Sequence, residues 1–392
     1  MNIAYNKTWL YNQTVVKETR RWLKHHFISS QQFDAIKLEY PSSFYHPHFV
    51  IRLLLFIATM IALTGVIGIL IVMMDTSDEK ALAAGAILYG VVACFVLEYF
   101  FIKNNHHFKS GVTEAILYLA IGLVLGGVFV FIDDHEHLVI LSFLFVFVIA
   151  AIRYVDLICT LFAIGAFCSL MFYEFYELDG LFRTLIPFIF IFIFSLIYRV
   201  AKNLKNKARL FPWRNNLLLV EFVSLLLIYS AGNYLVVRTL SEEMMNVYLQ
   251  DGQDIPFAVI FYILTAVIPV IYLYGGIKTK DKVLIRISLL LIALSAFTFK
   301  YYFSFGHPEV TLTIAGFCVL AITLFLLNYL KIFRGGYTRE NLLSEKWGDM
   351  NVEAFIISQT IGSGLVSATD QADLSESGAG GEFGGGGSTD TF

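Results

Sequence analysis

The chain has 392 residues, of which 57% are hydrophobic and only 15% are charged. Soluble domains carry about 25% charged residues, whereas here the apolar residues fall in blocks of about 20, the length of a helix that crosses a bilayer. The net charge of −3 excludes the strongly basic surface of a nucleic-acid-binding protein. The composition therefore predicts an integral membrane protein that binds no nucleic acid.

Residues 1–50 are polar and contain no apolar signal core, so we expect no cleavable signal peptide. They predict a cytosolic or interfacial pair of short helices. Ser29 and Gln32 fit a capping box at the start of the second helix, and Pro41 ends it. This hairpin is expected either to dock a cytosolic or membrane protein partner or to lie on the inner leaflet with Trp22 in the interface.

Residues 51–333 form the predicted transmembrane domain. Their apolar segments are too long for barrel strands and predict an all-α, polytopic bundle of about ten transmembrane helices. The fourth and fifth segments are separated only by the short stretch from Arg153 to Asp156. The ten predicted segments are 51–74, 81–102, 112–132, 138–153, 156–174, 184–200, 217–238, 257–277, 283–303 and 310–332.

The distribution of Lys and Arg predicts the orientation. When the loops are assigned alternately to two sides, 23 of these residues fall on the side of the N-terminus and four on the other. Since basic residues collect on the cytosolic side, both termini are expected in the cytosol. The four basic residues on the opposite side are Lys80, Arg183, Arg238 and Lys300.

The C-terminal region divides into two parts by composition. Residues 334–366 predict a short cytosolic amphipathic segment. Residues 367–392 are rich in glycine and small polar residues, and they predict a disordered tail because they can bury too little apolar surface. The tail is expected to be a plain flexible extension or a recognition tag for a partner, with Phe383 and Phe392 as its anchors.

Residues of the N-terminal hairpin resemble a bacterial family of predicted multi-pass membrane proteins of unknown function, which open with a short cytosolic helix pair. The Gly-rich tail is similar to tails of other bacterial membrane proteins. The first resemblance implies the bacterial cytoplasmic (inner) membrane, and neither implies a catalytic residue. The residues that carry the first resemblance are Trp22, Leu23, the run from Phe27 to Gln32, Ile36 and Tyr40.

Ionisable residues inside membrane helices are costly and are therefore the main candidates for a functional site. Glu98, Glu221 and Arg286 lie inside predicted helices, and Glu114 lies at the start of one. All four are expected near the cytosolic boundary. Glu221 and Arg286 enter their helices at similar depth, so an ion pair between them is geometrically possible. These side chains are expected either to snorkel to water or to tether two helices as an ion pair, and the alternative is a substrate or proton site.

Two further patterns concern helix geometry. Pro269 lies in the middle of the eighth predicted segment and is the candidate kink, as in transporters with broken helices. Gly122 and Gly126 form a GxxxG pattern that predicts close packing against another helix.

The sequence contains little that indicates catalysis. No P-loop, GxSxG or HExxH motif is present, and the four cysteines form no CxxC pair. The loop from Asp133 to His137 has five potential metal ligands in succession, but contiguous loop residues hold a metal only loosely. We therefore expect no metal, no cofactor and no enzymatic activity. The predicted role is structural, sensory or accessory, and the alternative is a transporter of a small or lipid-like substrate.

Overall fold

The computed structural model describes residues 3–24, 26–73, 78–132, 135–176, 181–243 and 254–302, together with Phe317, Leu324 and Asn328. Within these residues the chain forms helices and no strand beyond an isolated bridge. Most of the tenth predicted segment, 310–332, and both C-terminal regions, 334–366 and 367–392, lie outside the described residues.

Twelve α-helices are present in the described part of the chain. A π-helix, Leu97–Asn104, continues α4, and a 3-10 helix, Ala208–Trp213, precedes α9. The α-helices are α1 Lys7–Lys24, α2 Ser30–Glu39, α3 Phe49–Met73, α4 Glu79–Val96, α5 Val112–Ile132, α6 Glu136–Tyr154, α7 Leu157–Tyr176, α8 Leu181–Lys205, α9 Arg214–Gly232, α10 Tyr234–Glu243, α11 Ala258–Thr279 and α12 Lys282–Tyr302.

Nine helical segments of the described chain are long and apolar enough to cross a membrane: α3 to α9, α11 and α12. Large apolar side chains on these helices point outward, with Phe95, Phe145 and Phe192 each more than 60% exposed. So many exposed large apolar side chains are unfavourable in water and suit contact with lipid tails. The protein is thus an integral, multi-pass helical bundle, as the sequence predicts.

The chain divides into two compact units. The first comprises residues 1–12 and 41–166, and the second comprises residues 13–40 and 167–350, as far as each is described. The division therefore falls inside α1 and inside α7.

In the first unit, α4 and α5 approach closely at two glycines. A Cβ on Gly90 would lie 2.8 Å from the Ala120 carbonyl oxygen, and one on Gly127 would lie 2.6 Å from the Ala83 carbonyl oxygen. Gly122 and Gly126 have no atom within 4 Å of such a Cβ. Among the described residues, α5 thus meets α4 through Gly127 and not through Gly122 and Gly126, and the packing predicted for the GxxxG pattern stays a prediction.

The turn between α6 and α7 is the shortest connection in the first unit. Val155 ends α6 in the left-handed conformation, with φ of 52°. Asp156 then caps α7, since its Oδ1 accepts from the Cys159 N–H at 2.8 Å. The fourth and fifth predicted segments are thus confirmed as two helices.

In the second unit, the predicted segment 217–238 is not one helix. α9 ends at Gly232, Asn233 has extended backbone dihedrals (φ −83°, ψ 125°), and α10 begins at Tyr234. Gly232 allows the end of α9 to pass close to α11, because a Cβ there would lie 2.6 Å from Cδ1 of Ile268. α11 runs without a break through Pro269, and the chain breaks instead at Asn233, where the neighbouring span Ala208–Gly232 ends.

The N-terminal hairpin has the predicted capping box. The Ser29 hydroxyl accepts from the Gln32 N–H at 3.2 Å, and the Ser29 N–H donates to the Gln32 side chain at 2.9 Å. Trp22, Phe27 and Leu38 of the hairpin are exposed.

Candidate functional site

The second unit has a charged cluster where α8 ends, α9 begins and α11 turns into α12. Lys202 Nζ donates to Asp281 Oδ2 at 2.7 Å and to the Tyr198 hydroxyl at 3.0 Å. Lys205 Nζ, one turn further along α8, donates to Glu221 Oε2. Two lysines of one helix thus hold two acidic residues from two other elements.

Glu221 is the most buried charged residue of this cluster, with no exposed surface. Its partner is Lys205 rather than Arg286, so the predicted Glu221–Arg286 pair is wrong. Arg286 is half buried on α12 and makes a contact of its own. The second carboxylate oxygen of Glu221, Oε1, has no hydrogen-bond partner among the described residues, and neither has the hydroxyl of Ser224.

Asp281 forms the outer part of the cluster, in the turn between α11 and α12. Burial alone would raise the pKa of this carboxyl group, but the Lys202 ammonium, the Val283 N–H and the charge of Lys205 together hold its pKa below the usual value. Asp281 is therefore a fixed negative charge beside both lysines at neutral pH.

The interruption at Asn233 is the centre of a second polar cluster. Asn233 Nδ2 donates to the Tyr229 hydroxyl at 2.9 Å and to Thr298 Oγ1 at 3.0 Å, while Oδ1 accepts from the Val236 N–H at 3.3 Å. The Tyr234 N–H donates to Thr265 Oγ1 at 2.9 Å. All of these residues are buried except Val236, which is partly exposed. These hydrogen bonds therefore join α9, α10, α11 and α12 inside the bundle.

Pro269, the predicted kink, lies one turn from this cluster. A proline has no N–H, so the carbonyl of Thr265, four residues earlier, lacks its normal helical donor. The Thr265 hydroxyl in turn donates to the Phe261 carbonyl at 2.7 Å. Pro269 is fully buried, and its effect is to leave an additional polar backbone group beside the Asn233 interruption.

The buried ring of Tyr234 connects the interruption to the next loop. Its hydroxyl donates to Asp254 Oδ1 at 2.7 Å and accepts from Arg238 Nη1 at 2.9 Å. The ring stacks on Tyr262 with 4.0 Å between centroids. The polar contacts of the second unit thus continue from Asn233 to Asp254.

In the first unit, Glu98 lies in the π-helix and is fully coordinated. Arg153 Nε and Nη2 donate to its two carboxylate oxygens, and the Tyr154 hydroxyl donates to Oε1 at 3.0 Å. The structure therefore places Glu98 in a forked ion pair that ties α4 to the end of α6.

A second ion pair of the first unit joins α3 to α5. Glu114 Oε1 accepts from Arg52 Nη2 at 2.5 Å, and Oε2 accepts from the Gly111 N–H at 2.8 Å. Gly111 has a φ of +89°, and a Cβ there would lie 2.1 Å from the Arg52 carbonyl oxygen. Only glycine fits this position.

The N-terminal segment packs on the same end of the first unit. The Ala4 N–H donates to the Arg153 carbonyl at 2.9 Å, and Tyr5 packs edge-on against Phe44 and Phe108. His46 Nδ1 contacts the Phe108 carbonyl oxygen at 3.1 Å. Burial lowers the pKa of His46, and this hydrogen bond opposes the shift only in part.

No group of three or more His, Cys, Asp or Glu residues in the described part of the chain is arranged to hold a metal ion. Asp133 and Asp134 of the predicted ligand loop lie outside the described residues.

Several residues of these clusters were not candidates from the sequence, namely Lys205, Ser224, Asn233, Thr265 and Thr298. One signal for the interruption was present. Ser230-Ala-Gly-Asn233 places glycine and asparagine, the residues favoured where helices end, inside an apolar run.

Comparison with known protein families, curated proteins and solved structures gives no match for this chain.

Proposed function

We propose that the protein is a non-enzymatic membrane transporter for a small polar solute, with its pathway in the second unit along α9, α11 and α12. The observation that carries the proposal is the buried polar break at Asn233, between the end of the α9 span and the start of α10. Lipid cannot satisfy the backbone groups freed by such a break, so breaks occur where protein buries them or where they line a hydrated path. In transporters, interrupted helices form the substrate site.

The chemistry around the interruption favours an uncharged solute. Asn233, Thr265, Thr298 and Tyr229 offer an amide and hydroxyl groups, each able to exchange a neighbour for a solute hydroxyl or amide. The Thr265 carbonyl next to Pro269 is a further acceptor. An apolar, lipid-like substrate that displaced these contacts would leave the groups unsatisfied.

A cysteine accessibility experiment in reconstituted vesicles tests the pathway. Thr298→Cys should react with a membrane-impermeant thiol reagent, with the wild-type chain correcting for the native cysteines. Thr160→Cys is the matched control, because Thr160 is an equally buried helix residue whose hydroxyl donates to the carbonyl four residues earlier, at Asp156. It should stay unreactive.

Solute uptake by the same vesicles completes the test. A panel of one hexose, one polyol and one neutral amino acid is compared with a fluorescent phospholipid, and at least one polar solute should enter faster than into empty vesicles. The proposal would be contradicted if Thr298→Cys and Thr160→Cys were equally unreactive toward the thiol reagent and no polar solute entered faster than into empty vesicles.

The proposal includes a location, the cytoplasmic membrane of a bacterium with both termini in the cytosol. The excess of Lys and Arg on one side supports this orientation. Reporter fusions after Lys80 and Asp254 should be external, and fusions after Lys109 and Lys282 should be cytosolic. A cytosolic reporter at Asp254 would reverse the orientation of that part of the chain.

An accessory or sensory role is the second candidate, and the exposed apolar residues Trp22, Phe27 and Leu38 of the hairpin favour it. Such residues suit contact with a bilayer surface or a protein partner. The fluorescence of Trp22 is the difference between the emission of the wild type and that of Trp22→Phe. If the hairpin lies on the bilayer, brominated lipids should quench this fluorescence. Unquenched Trp22 fluorescence would favour a protein partner.

A further inference from the structure

The coordination of Glu221 is incomplete for a buried ionised carboxylate. A carboxylate away from water needs hydrogen bonds to both oxygens as well as a cation. Glu221 receives one ammonium donor on Oε2, and its Oε1 is buried without a partner among the described residues. The arrangement leaves one oxygen of the carboxylate open to another donor.

Ser224 supplies the second observation, because its hydroxyl is also buried and has no partner in the described chain. Residues three apart on a helix have Cβ atoms about 5–6 Å apart, a separation that one bridging water molecule fits. The two unpartnered oxygens, both on α9, thus favour a hydrated position next to Glu221.

We propose that Glu221 is a proton-exchange site, served by water held between its Oε1 and the hydroxyl of Ser224. A hydronium ion transfers its proton to Oε1, which leaves a neutral carboxylic acid and a water molecule. The acid no longer forms an ion pair with Lys205, which keeps its positive charge. The coupling of this step to solute movement depends on the proposed transport function.

A second acidic residue lies near Lys205 and can bind it after Glu221 is protonated. Asp281 in the α11–α12 turn already binds Lys202 and lies within electrostatic range of Lys205 and Glu221. Lys205 therefore exchanges Glu221 for Asp281 when Glu221 is protonated. Tyr198 on α8 also lies within electrostatic range of Glu221, and the packed elements carry further ionisable groups, among them Arg199 on α8, Tyr272 on α11 and Arg286 on α12. A sodium ion fits this position poorly, since the ammonium of Lys205 would repel it.

Infrared difference spectroscopy of the full chain in vesicles tests the proposal directly. Acidification should add to the wild-type spectrum a carboxylic acid carbonyl component that Glu221→Gln lacks, beside the bands that the other carboxyl groups give in both chains. This component should shift in D2O because water reaches the group. Glu98→Gln is the matched control. It should retain the band, since the forked Arg153 pair keeps Glu98 ionised.

Lys205→Met provides a second test that keeps the carboxyl group if Glu221→Gln does not fold. The band should be present already at neutral pH in this variant, because the ammonium that is hydrogen-bonded to the carboxylate has been removed. Identical wild-type and Glu221→Gln spectra, a band insensitive to D2O, or no effect of Lys205→Met would each overturn the proposal. None of these measurements requires solute flux, so their failure is distinct from failure of the transport function.

Discussion

Glu98 and Glu221 are both acidic residues inside apolar segments, yet their surroundings differ. Glu98 is partly exposed and receives three donors from Arg153 and Tyr154. Glu221 is fully buried and receives one donor from Lys205. A guanidinium fork satisfies both carboxylate oxygens at once, whereas a single ammonium contact does not. We infer that the number of donors, together with burial, separates a structural ion pair from one that can respond to protons.

The largest effect is expected from Lys205→Met. In alkaline buffer this change leaves the Glu221 charge buried without a partner and should lower the free energy of unfolding by about 3–5 kcal/mol. Mildly acidic buffer should reduce the loss, since Glu221 can then take up a proton. Thermal unfolding in detergent at both pH values measures the effect.

The double variant with Glu221→Gln is the control for that experiment. It should regain most of the stability, because neither member of the pair is then charged. If the losses in free energy of unfolding of the two single variants simply added in the double variant, Lys205 and Glu221 would act independently. The difference between the Glu221 pair and the Glu98 pair would then not hold.

Gly127→Ala should have the next largest effect, and it tests whether the helices around the first unit's ion pairs are fixed in place. The added methyl group meets the Ala83 carbonyl and Ile87 on α4, which should cost about 1–3 kcal/mol. Gly126→Ala, one residue earlier and open at its Cβ position, should be neutral or slightly stabilising. Equal thermal stability of the two variants would mean that α4 and α5 do not pack through Gly127.

Glu98→Gln should cost less, about 1–2 kcal/mol, since Arg153 is partly exposed and reaches water when its partner is neutral. Unlike the loss in Lys205→Met, this loss should not change between alkaline and mildly acidic buffer. A strong pH dependence would place Glu98 in the same class as Glu221.

The smallest effect concerns His46, on the segment that packs over the charged end of the first unit. Its pKa is lower in the folded chain than the unfolded value of about 6.5. The folded state therefore binds the proton less tightly. The contribution of His46 to the free energy of unfolding is fully present at pH values above its unfolded pKa. It is lost as the pH falls through the lower pKa that His46 has in the folded chain. Unfolding midpoints of the wild type should decrease modestly on acidification.

His46→Gln should reduce that decrease. His107→Gln is the comparison, because burial also lowers the pKa of His107 and its contribution has the same sign. A pH slope unchanged in both variants would show that other groups govern the acid sensitivity of the first unit.

The membrane helices could be predicted from the sequence because bilayer thickness fixes both the length and the apolarity of a span. Even the short turn at Val155 follows from this rule. The interruption at Asn233 could not be placed in the same way, since Leu235, Val236 and Val237 continue the apolar run beyond it. Hydropathy measures solvent preference and does not depend on backbone continuity.

The partners of the charged residues could not be predicted for a different reason. Glu221 and Arg286 have similar depth in their segments, but the rotation of each helix determines which side chains meet. Lys205, at the end of the preceding helix, occupies the position beside Glu221. The same limit applies to Gly122 and Gly126, because a spacing pattern identifies a face of α5 without identifying its neighbour.

The π-helix of residues 97–104 has a consequence for the position of the following loop. The hydrogen bonds of a π-helix join residues five apart, one more than in an α-helix, so its turn is wider. The stretch from Leu97 to Asn104 therefore delivers the chain to the loop at a different angle around the helix axis than an α-helix of the same length would. The contact of that loop with the N-terminal segment thus depends on the winding of the same stretch that holds Glu98.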